Sequence, residues 1–276
     1  MKSISYRASS FEMTGDVGVF THRDPSSRNS LSEALRGDYR EMLDLVDGNR
    51  SIRALVITGS GGSFSSGGDV KGMSARTSCK DNYERSPDYM RRHISRQHYI
   101  WLDRLRSIEV PVIAAVDGPA YGAGFSLALS ADFILASTRA TFCGSFARVG
   151  AIPDLGALYL LPRIVGLTRA KEICMTARRV EAEEAARLGI VLETHAPESL
   201  LDRAIHLGKR LAQGPIEAMG MMKNSLNRSF ELDYRSMGEL ESAQQAVALA
   251  SQFHIEASAR FSRKDAALYD WERGSE

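Results

Sequence analysis

Three places in this 276-residue chain combine residue types that can do chemistry. Two are glycine-rich turns, 64-FSSGGDVKGM-73 and 116-VDGPAYGAGFSLALSADFILAS-137, each directly after a buried-strand pattern. Glycine lets the main chain take positive φ and come close to a ligand. A helix that starts beyond such a turn presents N–H groups without intrahelical acceptors. Two turns from different strands can therefore aim one N–H each at a single oxygen and form an oxyanion hole. The alternative is a pair of plain strand-to-helix turns. The third place is 142-FCGSFARVGAIPDLGALYLLPRIVG-166, which carries one acid, Asp154. Pro-Asp ahead of a helix is a common N-cap arrangement, so Asp154 either caps the helix starting near Gly156 or carries a proton. An apolar pocket would raise its pKa toward neutrality and suit the second role.

These residues need a scaffold. Val17–Thr21 is short, β-branched and aromatic and reads as a strand. The segment HRDPSSRN reads as loop, and Ser30-Leu31-Ser32-Glu33 opens a helix to about Val46, stopped by Asp47-Gly48-Asn49. Arg53–Thr58, Pro111–Val116 and Asp132–Ala136 read as buried strands. A long helix is expected from about Asp88 to Ser107, and a small-residue helix from about Phe125 to Ser130. Strand, glycine-rich turn, helix, strand is the rhythm of a parallel sheet covered by helices. Beyond Pro162 the chain reads as helical, with one short strand around Ile190-Val191-Leu192. The expected organisation is an α/β core over residues 1–197 and a helical region over 198–276.

Composition excludes several classes. The formal net charge is +1, so no whole-chain field points to nucleic acid or acidic membrane. The basic cluster Arg91-Arg92-His93 is short and has no aromatic interleaving, so no nucleic-acid partner is expected. Cys79, Cys143 and Cys174 form no CxxC pair, which argues for free thiols in a reducing compartment. His93 and His98 are five apart, off a shared helical face, and the six histidines show no metal spacing. Neither GxGxxG nor GxxxxGK[ST] is present. The N-terminus lacks a continuous apolar stretch and no run is long enough to span a bilayer, so no membrane partner is expected and the expected location is the cytosol.

The blocks ALVITGSGGSFSSGGDVKGM, PVIAAVDGPAYGAGFSLALSADFILAS and GAIPDLGALYLLPRIVGLTRAKEICMTARRVEAEEAARLGIV occur in order. With them the chain resembles the crotonase (enoyl-CoA hydratase/isomerase) superfamily over about residues 12 to 230. The resemblance implies a crotonase-like ββα-spiral core, a C-terminal helical trimerisation region, homo-oligomers that are trimers or hexamers, and an acyl-CoA thioester substrate. Coenzyme A belongs to that substrate, so no separate cofactor is implied. By position, the resemblance makes Gly68 and Ala123 the N–H donors to the thioester oxygen. The family's hydratases use two glutamates. Their positions fall here on Ser126 and Phe146, neither of which can carry a proton as a carboxylate does. Some relatives instead rely on an Asp at the place of Asp154, and the chain looks closest to that subgroup, exemplified by the ring-epoxyphenylacetyl-CoA isomerase.

One carboxylate suffices for an allylic shift, since it takes a proton from one carbon and returns it to another. The expectation is therefore an acyl-CoA isomerase with Asp154, Gly68 and Ala123 as its catalytic groups. A hydratase that holds water on backbone groups and Ser126, or a silent acyl-CoA binder, are the alternatives. Lys71 and Arg28 are expected near the CoA phosphates, as basic residues near these places are in relatives. Phe146, Tyr121, Met73 and Tyr159 are candidates for lining the acyl pocket. Asp69 is read as a cap and Asp132 as a structural acceptor.

Overall fold

The computed structural model describes residues 3–69, 83 and 86–272. The chain opens with antiparallel strands β1 (Ile4–Ser5) and β2 (Ser9–Thr14), and β2 turns through Gly15 and Asp16 into β3 (Val17–His22). From there the pairing is parallel, through β4 (Ala54–Gly59), β5 (Val112–Val116), β7 (Phe133–Ser137) and β10 (Glu193–His195). Between these, β6 (Pro119–Tyr121), β8 (Thr141–Cys143) and β9 (Arg179–Glu181) form a second, small sheet. Among the described residues the α-helices are α1 (Glu33–Asp47), α2 (Pro87–Ile94), α3 (Ile100–Ser107), α4 (Ala123–Leu129), α5 (Ala157–Val165), α6 (Leu167–Thr176), α7 (Ala182–Arg187), α8 (Pro197–Leu211), α9 (Ile216–Asn227), α10 (Tyr234–Leu249) and α11 (Gln252–Arg263).

The central strands are apolar on both faces because both faces are covered, as parallel sheets require. Successive side chains of β4 alternate between two cores. Leu55 and Ile57 pack with Leu35, Tyr39 and Trp101 of α1 and α3. Ala54 and Val56 pack with Leu200, Ala204 and Leu207 of α8. The helix that starts at the expected boundary near residue 197 thus closes the second face of the sheet. Ser32 caps α1 by accepting from Leu35 N. The long helix expected over 88–107 is continuous but not uniform: a π-helical turn, Ser95–Tyr99, joins α2 to α3. Such single turns accommodate one extra residue without breaking a helix. The strand expected at Ile190–Leu192 lies three residues later, as β10. Ile190 and Val191 instead fill the core, their N–H groups both donating to Ala185 O at the end of α7. Among the described residues, no helix is long and apolar enough to cross a membrane.

The C-terminal helices attach through polar groups. Asn224 Nδ2 and Asn227 Nδ2 donate to Ser107 O and Arg106 O, which as last-turn carbonyls of α3 lack helical partners. Lys223 Nζ lies 2.8 Å from Asp132 Oδ2 and donates to Val110 O, and Val112 N donates to the same carboxylate oxygen. Asp132 is thus a structural acceptor. Burial pushes the carboxyl up and the ammonium down, so each depends on the other to stay charged. Lys223→Ala removes the ammonium from a desolvated carboxylate, leaving it the Val112 N–H, and is expected to cost about 3–5 kcal/mol, whereas the Asp132→Asn, Lys223→Met double variant costs less. Urea midpoints of the two variants check this. A double variant no more stable than Lys223→Ala would contradict it.

Candidate active site

The two glycine-rich turns meet. Ser65 pairs with Ala120 in a parallel bridge, Tyr121 N donates to Ser65 O at 2.9 Å, and Ser65 N donates to Pro119 O at 3.1 Å. Gly67 takes φ +93°, and a Cβ placed there would lie 2.4 Å from Tyr121 O and 3.1 Å from Ala123 N. Only glycine lets the first turn come this close to the second. Gly122 N donates to Cys143 O, which fixes the second turn to the small sheet. Ala123 is then the first residue of α4, where an N–H has no intrahelical acceptor. Among the described residues, neither Gly68 N–H nor Ala123 N–H has an acceptor within the chain.

Asp154 lies in the loop that enters α5. Its Oδ1 is buried and hydrogen-bonds to nothing among the described residues. Burial pushes its pKa up to about 6, against the smaller lowering effect of its own backbone N–H. It does not cap α5. The cap position is Gly156, without a side-chain bond, and Ala157 N donates to the Asp154 backbone carbonyl. Leu155, fully buried, takes φ 52°, followed by Gly156 at φ 81°. A non-glycine residue in that region costs about 1–3 kcal/mol, a strain typical of segments that hold a functional group. Helix α5 packs on α4, which ties the acid's loop to the second turn.

The other expected residues are placed as follows. Ser126 is fully buried and its Oγ donates back to Gly122 O at 3.4 Å, so its hydroxyl is engaged within α4. Phe146 sits half-buried in a 3-10 turn against the main core. Tyr121 is half-buried and its hydroxyl accepts from Thr141 Oγ1 at 3.3 Å. Arg28 is exposed, and its carbonyl accepts from Ser66 N. Tyr159 is turned to other work: the Arg163 guanidinium covers its ring at 3.4 Å and its hydroxyl donates to Glu231. Asp69 is half-buried. Lys71 and Met73 lie outside the described residues.

One part of the site escaped sequence reasoning. The loop 24–32 runs alongside the first turn and is bonded to it repeatedly. Ser66 Oγ donates to Ser27 O, Ser66 N to Arg28 O, Ser65 Oγ to Asn29 O, and Leu31 N to Gly67 O. Arg28 and Asn29 are both left-handed, φ 53° and 56°. Behind the turn, His22 is fully buried and pushed down to about 4 by that burial. Its Nδ1 donates to Phe64 O at 3.0 Å and its Nε2 accepts from Tyr39 OH at 2.7 Å. That tautomer follows because a carbonyl can only accept. The one signal in the sequence was an Asn, a residue tolerant of left-handed backbone, at the end of a polar loop.

Residues 12–268 match the enoyl-CoA hydratase/isomerase family. A probable enoyl-CoA hydratase of Rhodobacter capsulatus is 34% identical over 255 residues, which are 86% of this chain and 91% of that one. The 1,2-epoxyphenylacetyl-CoA isomerase of Escherichia coli is 31% identical over 248 residues, 90% of this chain and 92% of its own. The crystal structure of an enoyl-CoA hydratase/isomerase from Cupriavidus metallidurans superposes with a TM-score of 0.90 at 37% identity, covering 96% of this chain and 97% of that one. The sequence match and the shared architecture both run nearly end to end, and this chain belongs to the enoyl-CoA hydratase/isomerase family of the crotonase superfamily.

Proposed function

We propose that this chain is an acyl-CoA isomerase. The Gly68 and Ala123 N–H groups hold the thioester oxygen, and the Asp154 carboxylate takes a proton from one carbon of an unsaturated acyl chain. The electron pair left behind spreads onto that oxygen, where two donors fixed in advance stabilise it. The same proton returns from Asp154 to the other end of the conjugated system, so no water and no further cofactor is consumed. The observation that carries this reading is the carboxylate itself: its Oδ1 is buried and without a partner among the described residues, and burial holds the group near pKa 6. Hydration needs a second group to activate water. Ser126 and Phe146 stand at the two glutamate positions, and neither can carry a proton as a carboxylate does.

A β,γ-unsaturated acyl-CoA and crotonyl-CoA separate the reactions by opposite signs. Isomerisation of the first raises the absorbance of the conjugated thioester, and hydration of the second lowers it. A rise with the first and no fall with the second is expected. A robust fall with crotonyl-CoA would make the chain a hydratase, as several relatives are named, and no turnover of either would make it a binder.

The same proposal includes assembly with copies of itself in the cytosol. Among the described residues of α9–α11 only Gly220 is buried, while Met222, Leu226, Ile255 and Phe261 are more than half exposed. Apolar surface of this extent marks an interface. Sedimentation is expected to give a trimer or hexamer.

A further inference from the structure

We propose that Asn29 is a positioning residue for the first oxyanion donor, acting through Ser65 on the Gly67 N–H, one peptide before the Gly68 N–H. This rests on the reading that Gly68 N–H binds the thioester oxygen. Asn29 is completely buried and every polar atom of its side chain is used. Nδ2 donates to Ser60 O at 2.9 Å and to Ser63 O at 2.6 Å, and Oδ1 accepts from Asp24 N at 3.0 Å. The orientation of the amide is fixed by its partners, since two carbonyls can only face the NH2 group. The Asn29 carbonyl accepts from Ser65 Oγ at 2.7 Å, and that same hydroxyl oxygen accepts from Gly67 N at 3.2 Å.

The chain of bonds therefore runs from the Asn29 backbone to Gly67 N, one peptide before Gly68. It accounts for the N–H groups in order: Ser65 N goes to Pro119 O, Ser66 N to Arg28 O, Gly67 N to Ser65 Oγ. Among the described residues Gly68 N is the first without an acceptor, and its aim is set by the three before it and by Leu31 N, which donates to the carbonyl of the same peptide, Gly67 O. Asn29 suits this task for two reasons. Its left-handed φ of 56° turns its carbonyl toward Ser65 while its side chain grips the strand end that leads into the turn. Asn tolerates that region better than other residues with a side chain. An exposed loop that only connected β3 to α1 would need neither feature.

The test reads polarisation of the carbonyl, which does not depend on turnover. The probe is butyryl-CoA carrying carbon-13 at its thioester carbonyl, bound to the full chain, with the carbonyl stretch followed by difference infrared spectroscopy. In the unaltered protein the stretch is expected to shift to lower frequency on binding. Asn29→Asp keeps the shape and the tolerance of positive φ but removes both donors. Asn29→Gly keeps the backbone freedom and removes the side chain. Both are expected to lose most of the downshift and about 10²-fold of α-proton exchange into deuterated water, the size of effect that misplacing a reacting group produces. Butyryl-CoA affinity by calorimetry should change far less, because the donors to the thioester oxygen act most strongly on the charge that develops there during exchange. Ser65→Ala breaks the relay without touching Asn29 and is expected to lose part of the shift; it decides the matter where an Asn29 variant does not fold. Folded variants that keep the full downshift overturn the role of Asn29 and leave the oxyanion reading standing. No downshift in the unaltered protein overturns both.

Discussion

Asp154→Asn is expected to stop α-proton exchange of a bound acyl-CoA, by about 10²–10⁴-fold, and at the same time to make the protein more stable above pH 6. The two effects share one cause. Burial holds the Asp154 pKa at about 6, against 3.8 in the unfolded chain. Its folded value is raised, so its contribution to stability is fully present below pH 3.8 and is lost as pH rises through about 6. About two pKa units correspond to about 3 kcal/mol of destabilisation at pH 8, where the carboxylate is ionised in both states. Asn cannot ionise and escapes that cost. Urea unfolding of both proteins at pH 4 and pH 8 is the check: the advantage of the variant should be near zero at the first and about 2–3 kcal/mol at the second. A constant difference would mean that Asp154 is not held in its neutral form by the fold.

His22 titrates in the opposite sense and has to be separated from this. Its folded pKa is lowered to about 4 from 6.5, so its contribution is present above pH 6.5 and is lost as pH falls through about 4. Both proteins carry His22, and comparing them at one pH cancels it. The rate profile gives an independent measure. Asp154 must be ionised to take the first proton, so kcat/KM should rise with pH through about 6 and then level. The Asp154→Asn variant should keep no such rise.

The parts of this fold that were legible in sequence are those stabilised by their own composition. β3, β4, β5 and β7 are runs of β-branched and small apolar residues, buried on both faces, and read as strands without help from the rest of the chain. The three-residue strands β6, β8 and β9 did not, because nothing local favours them. They exist because Pro119–Tyr121 meets Thr141–Cys143 and that in turn meets Arg179–Glu181. β2 was hidden for another reason. Its buried residues include Ser9 and Ser10, and Ser9 is satisfied by the carboxylate of buried Asp38 rather than by apolar contact. β10 lies beyond the strand-like Ile190-Val191 pair because those two side chains plug the core, while the strand at the sheet edge is Glu193-Thr194-His195. The site divides in the same way. A lone acid in an apolar stretch and two glycine turns stand out by type. That Asp154 does not cap α5 and leaves Oδ1 without a partner among the described residues, and that Asn29 grips the first turn from a distant loop, are facts of tertiary packing that spacing cannot carry.

Ala123→Pro is expected to remove about 10²–10³-fold of turnover, by deleting one oxyanion donor, while leaving the fold largely intact. Ala123 is the first residue of α4, and its N–H is outside the helical ladder in any case. Proline is favoured at that position because its fixed φ suits the first turn and its missing N–H costs no helical bond. The residue before it is Gly122 at φ 51°, ψ −123°, an extended left-handed geometry that glycine sustains and that lies outside the α region proline forbids its predecessor. The substitution therefore takes the N–H away without costing a helical bond, which an alanine-to-bulky change cannot do. Ala123→Ser keeps the N–H and serves as its control. The expected result is a fall in kcat for proline alone, with urea midpoints of both variants within about 1 kcal/mol of the parent, the range left when no helical bond or core contact is lost. Unchanged turnover in a folded Ala123→Pro protein would show that the thioester oxygen is held without this amide, and the two-donor mechanism would fall with it.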